Sequence, residues 1–399
     1  MTTTDFPHTD ILDKFTQLQK AVNSAIFERD EEVHTAILAL LSRRHHFQLG
    51  PPGVAKSLLV EEITSRIQGM DDDAYFKWLL TKFTVPEELF GGPDFTLLKE
   101  KGAYKRVTDR KLPKAKVAFL DETFKGNSSI LNALLKIMNE REFDNMDDDP
   151  RTPLISMFGA SNELPATNEL DALADRFTFY HQVSRIRDMG SFMSMIGNTV
   201  DTTSVITLDE LMEAQALVET VVVPDEVKEA LWQLRGTLAE NDVLVSDRRF
   251  FQSIAVVQAE AFLNGRMTAQ VVDTKPLRHV MWRDPSHLDL VRKIVLDLAD
   301  PLEREALELL AELEKAADSF NSAVKDTQNK SKRIKAALEV WEKVKEADKE
   351  IAALRKREEE LGRKCDAIRK VVKRKKEIAK TLMVEGMSMS PTDDDDDED

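Results

Sequence analysis

The sequence predicts an α/β protein in which a parallel sheet covered by helices is followed by an all-helical domain and then by an antiparallel coiled-coil helical hairpin. Three observations point there. Up to about residue 190, short apolar runs alternate with helix-like stretches, the pattern of repeated strand-helix units. From about 205 to 290 the periodicity is mostly helical. Beyond residue 301, apolar residues recur at alternating steps of four and three, which is a heptad seam.

In chain order, the first region spans residues 1–200, and its candidate strands are HHFQL (45–49), KVAFL (116–120) and LISMFGA (154–160). Each is followed by polar or turn residues and then by a helix-like stretch, as in a parallel sheet whose crossovers are helical. Region two, 201–290, holds TLDELMEAQALVETV, PDEVKEALWQLRGTLAE and RRFFQSIAVVQAEAFLNG, the last closing on a glycine suited to a helix C-terminus. The third, 291–383, carries one seam through Leu302, Ala306, Leu309, Leu313, Ala316, Phe320 and Ala323. A second seam runs Ala337, Val340, Val344, Ala347, Ile351, Leu354, Glu358, Leu361, Cys365, Ile368, Val372, with only Glu358 charged. Polar KDTQNKS between them turns the chain. A second arm of roughly 50 residues would reach about 75 Å, twice the first, so the stretch near Leu361 to Val372 is expected to lack a partner within the hairpin. Residues 384–399, ending in DDDDDED, read as a disordered acidic tail.

Bulk composition bounds the function. At 399 residues and 42% hydrophobic, the chain can build two or three domains with real cores. No run approaches the roughly 20 apolar residues of a membrane helix, and MTTTDFPHTD lacks the basic-then-apolar layout of a signal peptide. A single cysteine, Cys365, excludes an internal disulfide or a thiol-rich metal cluster and fits a reducing, cytoplasmic setting. Net charge is −16, and −9 without the seven terminal acids, which argues against general nucleic-acid affinity.

The chemistry gathers at LGPPGVAKSLL. Gly50, Pro51, Pro52, Gly53, Val54, Ala55, Lys56, Ser57 and Leu58 nearly match a phosphate loop, with Ala55 where the common pattern has glycine. Alanine fits such a loop if its φ stays negative. A helix N-terminus beside Lys56 offers phosphates its amides, its dipole and one cation, and the Ser57 hydroxyl suits Mg²⁺. At a distance of 65 residues from Lys56, VAFLDE ends a strand with Asp121, suited to the Mg²⁺ shell, and Glu122, suited to orienting or deprotonating water. FGASNE places Asn162 a further 41 residues on, where it can position that water. Each fragment alone fits an ordinary turn or solvated loop. Three in this order at strand ends make a nucleotide site. RRHH (43–46) is no metal site, because adjacent histidines on a strand face opposite ways.

Together GPPGVAKS, TVPEELFGG, LPKAKVAFLDETFKGNSSILNALLKIMNEREF, ASNELP and LADRF resemble the MoxR family of AAA+ ATPases, and VSDRRF with AFLNGR resembles its RavA branch. The likeness covers about residues 12–285 and implies an AAA+ αβα core with a helical lid, binding ATP and Mg²⁺. It matches Lys56 and Ser57 to Walker A, Asp121 and Glu122 to Walker B, and Asn162 to sensor 1. Arg176 falls at the arginine finger, with a salt bridge to Asp175 or Asp171 as its alternative role, and Arg248 or Arg249 falls at sensor 2. Family likeness further implies a ring, hexameric in this family, that remodels a client protein together with a von Willebrand factor A domain partner. The basic stretch within about 91–116, LLKEKGAYKRVTDRKLPKAK, sits where that clade has a pore-directed insert. It reads as a solvated surface, a contact for an acidic polypeptide or a contact for the chain's own tail. Two other readings stay open: a scaffolding ring with a coiled-coil arm, and a nucleic-acid motor using the basic insert. RavA-type stalks carry a strand-containing module that residues 301–383 do not suggest.

Overall fold

The computed structural model describes residues 8–146, 149–164, 168–197, 203–325, 330–362 and 364–387. It forms two units, residues 1–295 and 296–399. The DDDDDED run lies outside the described residues.

The first unit contains, in order, α1 (Thr9–Ala25), α2 (Asp30–Leu41), β1 (His46–Leu49), α3 (Lys56–Thr64), β2 (Ile67–Gln68), β3 (Tyr75–Leu79), α4 (Pro86–Phe90), α5 (Phe95–Lys101), β4 (Val117–Asp121), α6 (Ser128–Glu140), β5 (Ser156–Ser161), α7 (Asn168–Ala174), β6 (Phe179–Gln182), α8 (Met189–Gly197), β7 (Ile206–Thr207), α9 (Leu208–Thr220), α10 (Asp225–Glu240), α11 (Asp247–Leu263) and the start of α12 (Leu288–Ala299). Five strands pair in the order β3-β4-β5-β1-β6, all parallel, and β2 pairs with β7 apart from them. Every residue of β1 and β5 is buried, as in strands covered on both faces, and in β1 that includes the polar His46 and Gln48. Edge strand β3 instead alternates, burying Phe76 and exposing Lys77, so its sequence carries no continuous apolar signal. Gly159 on β5 is required by packing: a Cβ there would lie 2.6 Å from the Phe177 ring and 2.9 Å from Thr123 Oγ1.

Within the predicted insert, α5 is followed by a return strand-like segment bridged at Pro93–Arg106. At its base Gly91 has φ 91°, and a Cβ would sit 1.8 Å from the Val107 carbonyl oxygen, so only glycine fits. Some of the basic side chains are internal ties: Arg106 Nη1 donates to Gly91 O at 2.7 Å and Lys111 Nζ to Glu88 O at 2.9 Å.

Helices α9 to α11 form a lid packed on the core through α2. Glu31 lies 3.3 Å from Arg278, 3.0 Å from His279 and 3.7 Å from Arg292, and His34 meets Glu260 at 2.7 Å. Burial raises the Glu31 carboxyl, but these cations outweigh it and hold it well below its usual range. Beneath lies a column of imidazoles. His46 stacks on His181 at 5.1 Å and His181 on His279 at 4.2 Å, while Thr35 Oγ1 meets the Nε2 atoms of His46 and His181 at 3.2 and 2.7 Å. Burial pushes His46 down to about 3 and His181 well below its usual value, so both are neutral.

The second unit corrects the expected hairpin. After α12, α13 (Pro301–Lys325), α14 (Lys330–Glu360) and α15 (Asp366–Met387) form a three-helix bundle. Ion pairs Lys343–Glu312 and Arg357–Glu305 set α14 antiparallel to α13, and Lys375–Asp348 sets α15 antiparallel to α14. The second arm therefore does not run on unpaired. It stops at Gly362, whose φ of 62° suits a helix C-terminus, and Glu358 accepts a hydrogen bond from Cys365 N at 2.6 Å. The one charge in the seam thus marks a reversal. Ile368 and Val371 are buried in the bundle core, whereas Leu361 at the turn is 55% exposed. Helix α15 also continues to Met387, beyond the boundary expected at 383. No helix among the described residues is long and apolar enough to cross a membrane.

Neutral, buried His46 and His181 make the fold acid-sensitive. The unfolded chain protonates these imidazoles near pH 6.5 while the folded one does not, so their folded pKa is depressed and stability is lost as pH falls below that value. Each should cost about 1.4 kcal/mol per pH unit. Thermal unfolding measured from pH 7.5 to 5 should show a steadily falling Tm, and a flat profile would contradict the buried, neutral column.

Candidate nucleotide site

Three adjacent strands bring the site together. β4, β5 and β1 are neighbours in the sheet and all run the same way, so Asp121, Asn162 and the loop before Lys56 emerge at one edge. Thr123 ties two of these ends: its hydroxyl donates to Leu120 O at 2.8 Å and accepts from Ala160 N at 3.1 Å.

Gly50 leaves β1 in the sheet register, donating to Ser161 O at 3.0 Å, and a Cβ there would press to 2.4 Å on Val183 O. Pro51, Pro52 and Gly53 are exposed, and Val54 turns inward at 5% exposure. Gly53 has φ 78°. The expectation that Ala55 keeps a negative φ is overturned: its φ is 66°, the left-handed region that glycine adopts without strain. The phosphate-loop curl is therefore kept, at a cost of about 1–2 kcal/mol for the Cβ. Helix α3 starts at once with Lys56, leaving its first amides facing the loop. Ser57 is half-buried and Leu58 is 38% exposed.

Lys56 is the hub. Its Nζ donates to Gly50 O at 2.6 Å, Pro51 O at 3.0 Å and Asn162 Oδ1 at 3.0 Å. Burial lowers its pKa while Asp121 and Glu122 raise it, with a net fall. The Asn162 amide then donates through Nδ2 to Glu122 Oε1 at 2.8 Å. Glu122 Oε2 lies 3.2 Å from Lys125 Nζ. Like Ala55, Glu122 is left-handed, with φ 51°, and its amide donates to Asp121 Oδ1 at 2.9 Å. Strained non-glycine residues on both sides of one cleft are what a constrained functional site looks like. A cationic hub, free helix amides, a hydroxyl and two carboxylates form a donor and acceptor set that fits a nucleotide phosphate with a hard divalent ion.

The three arginines lie elsewhere. Arg176 and Arg248 line a cleft with Arg43 and Arg44, just before β1, at the amino edge of the sheet. β1 alone separates that edge from the phosphate loop by roughly 13 Å. Arg176 Nη1 donates to Ala172 O at 3.2 Å, and Asp175 instead gathers Arg248, Arg249 and Arg283 at 3.6, 3.7 and 3.9 Å. Arg249 is 3% exposed, and its guanidinium holds Val280 O at 2.6 Å and Phe177 O at 3.1 Å. A side chain so engaged fastens lid to core; of the two sensor 2 candidates, Arg248 lines the amino-edge cleft and Arg249 lines a different one, beside Asp175 and Trp282.

Residues 13–217 match the family described as the MoxR domain in MoxR–vWA–β-propeller ternary systems, and residues 226–295 match an AAA lid domain. The chain belongs to the MoxR family of AAA+ ATPases. Two uncharacterised proteins of Methanocaldococcus jannaschii are 38% and 37% identical, over 75% and 78% of this chain and 78% and 82% of their own lengths. A structural protein of Acidianus two-tailed virus is 27% identical over 53% of this chain and 36% of its own. A Cytophaga hutchinsonii protein provisionally described as an ATPase shares the fold, with TM-score 0.58 at 17% identity, covering 73% of this chain and 94% of that one.

For a MoxR domain the parts that sequence reasoning missed are the supports. Thr123 directly after Walker B and Gly159 in β5 look like ordinary residues until the strand ends are brought together. The Arg43–Arg44 pair was visible, but only as a would-be metal motif.

Relieving the left-handed alanine tests the loop directly. Ala55→Gly should raise stability by about 1 kcal/mol and keep nucleotide affinity. Lys56→Ala should abolish nucleotide binding measured by fluorescent-nucleotide titration. A lowered Tm in the glycine variant, or intact binding in Lys56→Ala, would refute this account of the loop.

Proposed function

We propose that this MoxR-family chain hydrolyses ATP in a ring, hexameric by family likeness, and uses the cycle to remodel a client protein. The observation that carries it is Asn162 bridging Lys56 at 3.0 Å and Glu122 at 2.8 Å, a ready contact between the phosphate-binding cation and a water-activating carboxylate. Lys56 would grip the phosphates, giving up its carbonyl contacts for charged oxygens. Ser57 and Asp121 would hold Mg²⁺, which neutralises phosphate charge when bound. Glu122 would take a proton from the attacking water, which the Asn162 amide, released from Glu122, would orient.

Arg176 and Arg248 sit at the opposite sheet edge from their own Lys56, so they would serve the nucleotide of a neighbouring copy. The family's description supports a von Willebrand factor A domain partner. VSDRRF and AFLNGR support a RavA-like lid. A scaffolding ring is the second reading, favoured by the viral structural relative.

Turnover separates these readings. Glu122→Gln should bind ATP with turnover reduced at least about a hundredfold. Arg176→Ala should also bind ATP and lose turnover, and mixing it with Lys56→Ala protein should restore partial activity, because some interfaces then pair an intact loop with an intact Arg176. Exchange of subunits without recovered phosphate release at any ratio would overturn the shared-site reading.

A further inference from the structure

The cleft at the amino edge of the sheet carries more positive charge than one finger and one sensor account for. Its walls hold Arg43, Arg44, Arg141, Arg176 and Arg248 against a single carboxylate, Glu219, around a volume of about 650 Å³. Guanidinium groups gathered in a partly desolvated cleft repel one another unless carbonyls or an anion lie between them.

Arg141 has such carbonyls. It donates to Met138 O and Arg43 O, each at 2.9 Å. Arg44 does not. Its buried Nε has no hydrogen-bond partner, and the influences on its charge are burial and then Arg43, both of which lower its pKa. Yet its backbone is fixed. Arg44 N donates to Ala39 O at 2.9 Å, its carbonyl accepts from Ser156 Oγ at 2.5 Å, and Arg43 takes φ 53° to make the turn. A fixed backbone that holds a buried, unpartnered Nε in a cationic cleft is the arrangement of a preformed anion contact. Arg176 resembles it, with a buried and unpartnered Nε.

We propose that Arg44 is a further phosphate-binding residue of this cleft, gripping with Arg176 and Arg248 a polyphosphate presented by a second copy of the chain. The proposal rests on the reading that Arg176 acts on a neighbour's nucleotide. Glu219, exposed on the lid side of the cleft, is the group that the incoming anion must outweigh.

Two measurements test it. In Lys56→Ala protein, whose own loop is disabled, calorimetric titration with inorganic tripolyphosphate should show binding that Arg44→Ala weakens at least about tenfold and Arg44→Lys weakens less. In full-length protein with an intact loop, Arg44→Ala should lower kcat at least about tenfold with affinity for ATP at its own Walker site unchanged, and mixing with Lys56→Ala should restore part of the activity. Arg44→Gln, which keeps most of the aliphatic stem without the charge, should show the same loss if Arg44→Ala folds poorly. Should Arg176→Ala complement in mixtures while Arg44→Ala and Arg44→Gln keep wild-type turnover, the role of Arg44 is overturned and the neighbour reading stands. If neither complements and tripolyphosphate does not bind, both fall. Weakened tripolyphosphate binding without any change in kcat would mean an adventitious ion only, and would also overturn the proposal.

Discussion

Parallel pairing of β4, β5 and β1 at the centre of the sheet is the constraint from which the candidate nucleotide site follows. Residues that lie 65 and 106 positions from Lys56 in the chain reach it only because three neighbouring strands end at one edge. The register is defended by features with no chemical role of their own. Thr123 sews the end of β4 to β5, and Gly159 makes room for both Thr123 and Phe177. Loosening that seam would separate Glu122 from Asn162 without changing either side chain.

Strain is concentrated on that same edge. Ala55 and Glu122 both adopt left-handed backbone, a conformation that costs roughly 1–2 kcal/mol per residue. Each is held by what surrounds it: Ala55 by the start of α3, with Leu59 N returning to its carbonyl at 3.2 Å, and Glu122 by the hydrogen bond from its amide to Asp121. The stable core below, with Phe47, Phe119 and Phe158 almost fully buried, supplies the rigidity that such a site needs.

Most of this was legible in the sequence for physical reasons that also explain the failures. Central strands are covered on both faces, so KVAFL and LISMFGA stood out as apolar runs, while HHFQL was marked as a strand chiefly by the turn and helix that follow it. β3 and β6, the two edge strands, did not, and β3 alternates buried with exposed residues. Positions of Lys56, Asp121, Glu122 and Asn162 were readable because strand ends are where side chains can converge. The φ of Ala55 was not, because the phosphate-loop curl overrides what alanine prefers. In the C-terminal unit the heptad spacing was real, but it passed unbroken through Gly362 and hid a reversal that the glycine and the charged Glu358 both marked. Between Arg248 and Arg249 the motif favours the first, and the helix turns Arg249 inward to the carbonyls of Phe177 and Val280.

One strand joins the two chemically charged regions of the first unit. β1 has Arg44 two residues before it and the phosphate loop after it, and hydrogen bonds to β5 and β6 hold it on both sides. It also carries His46 into the imidazole column, whose other end, His279, meets Glu31 in the latch between lid and core. Helix α11 is fastened by that same face of α2, through Glu260 and His34, and presents Arg248 to the amino-edge cleft from its first turn. The latch therefore does more than close the lid. It sets where Arg248 stands relative to Arg44 and Arg176, and through β1 it sets all three against the loop of the same chain at a fixed offset. Were copies to close into the proposed ring, that offset is what a neighbour would have to match, because rigid pairing along β1 leaves no way to slide one edge of the sheet without the other.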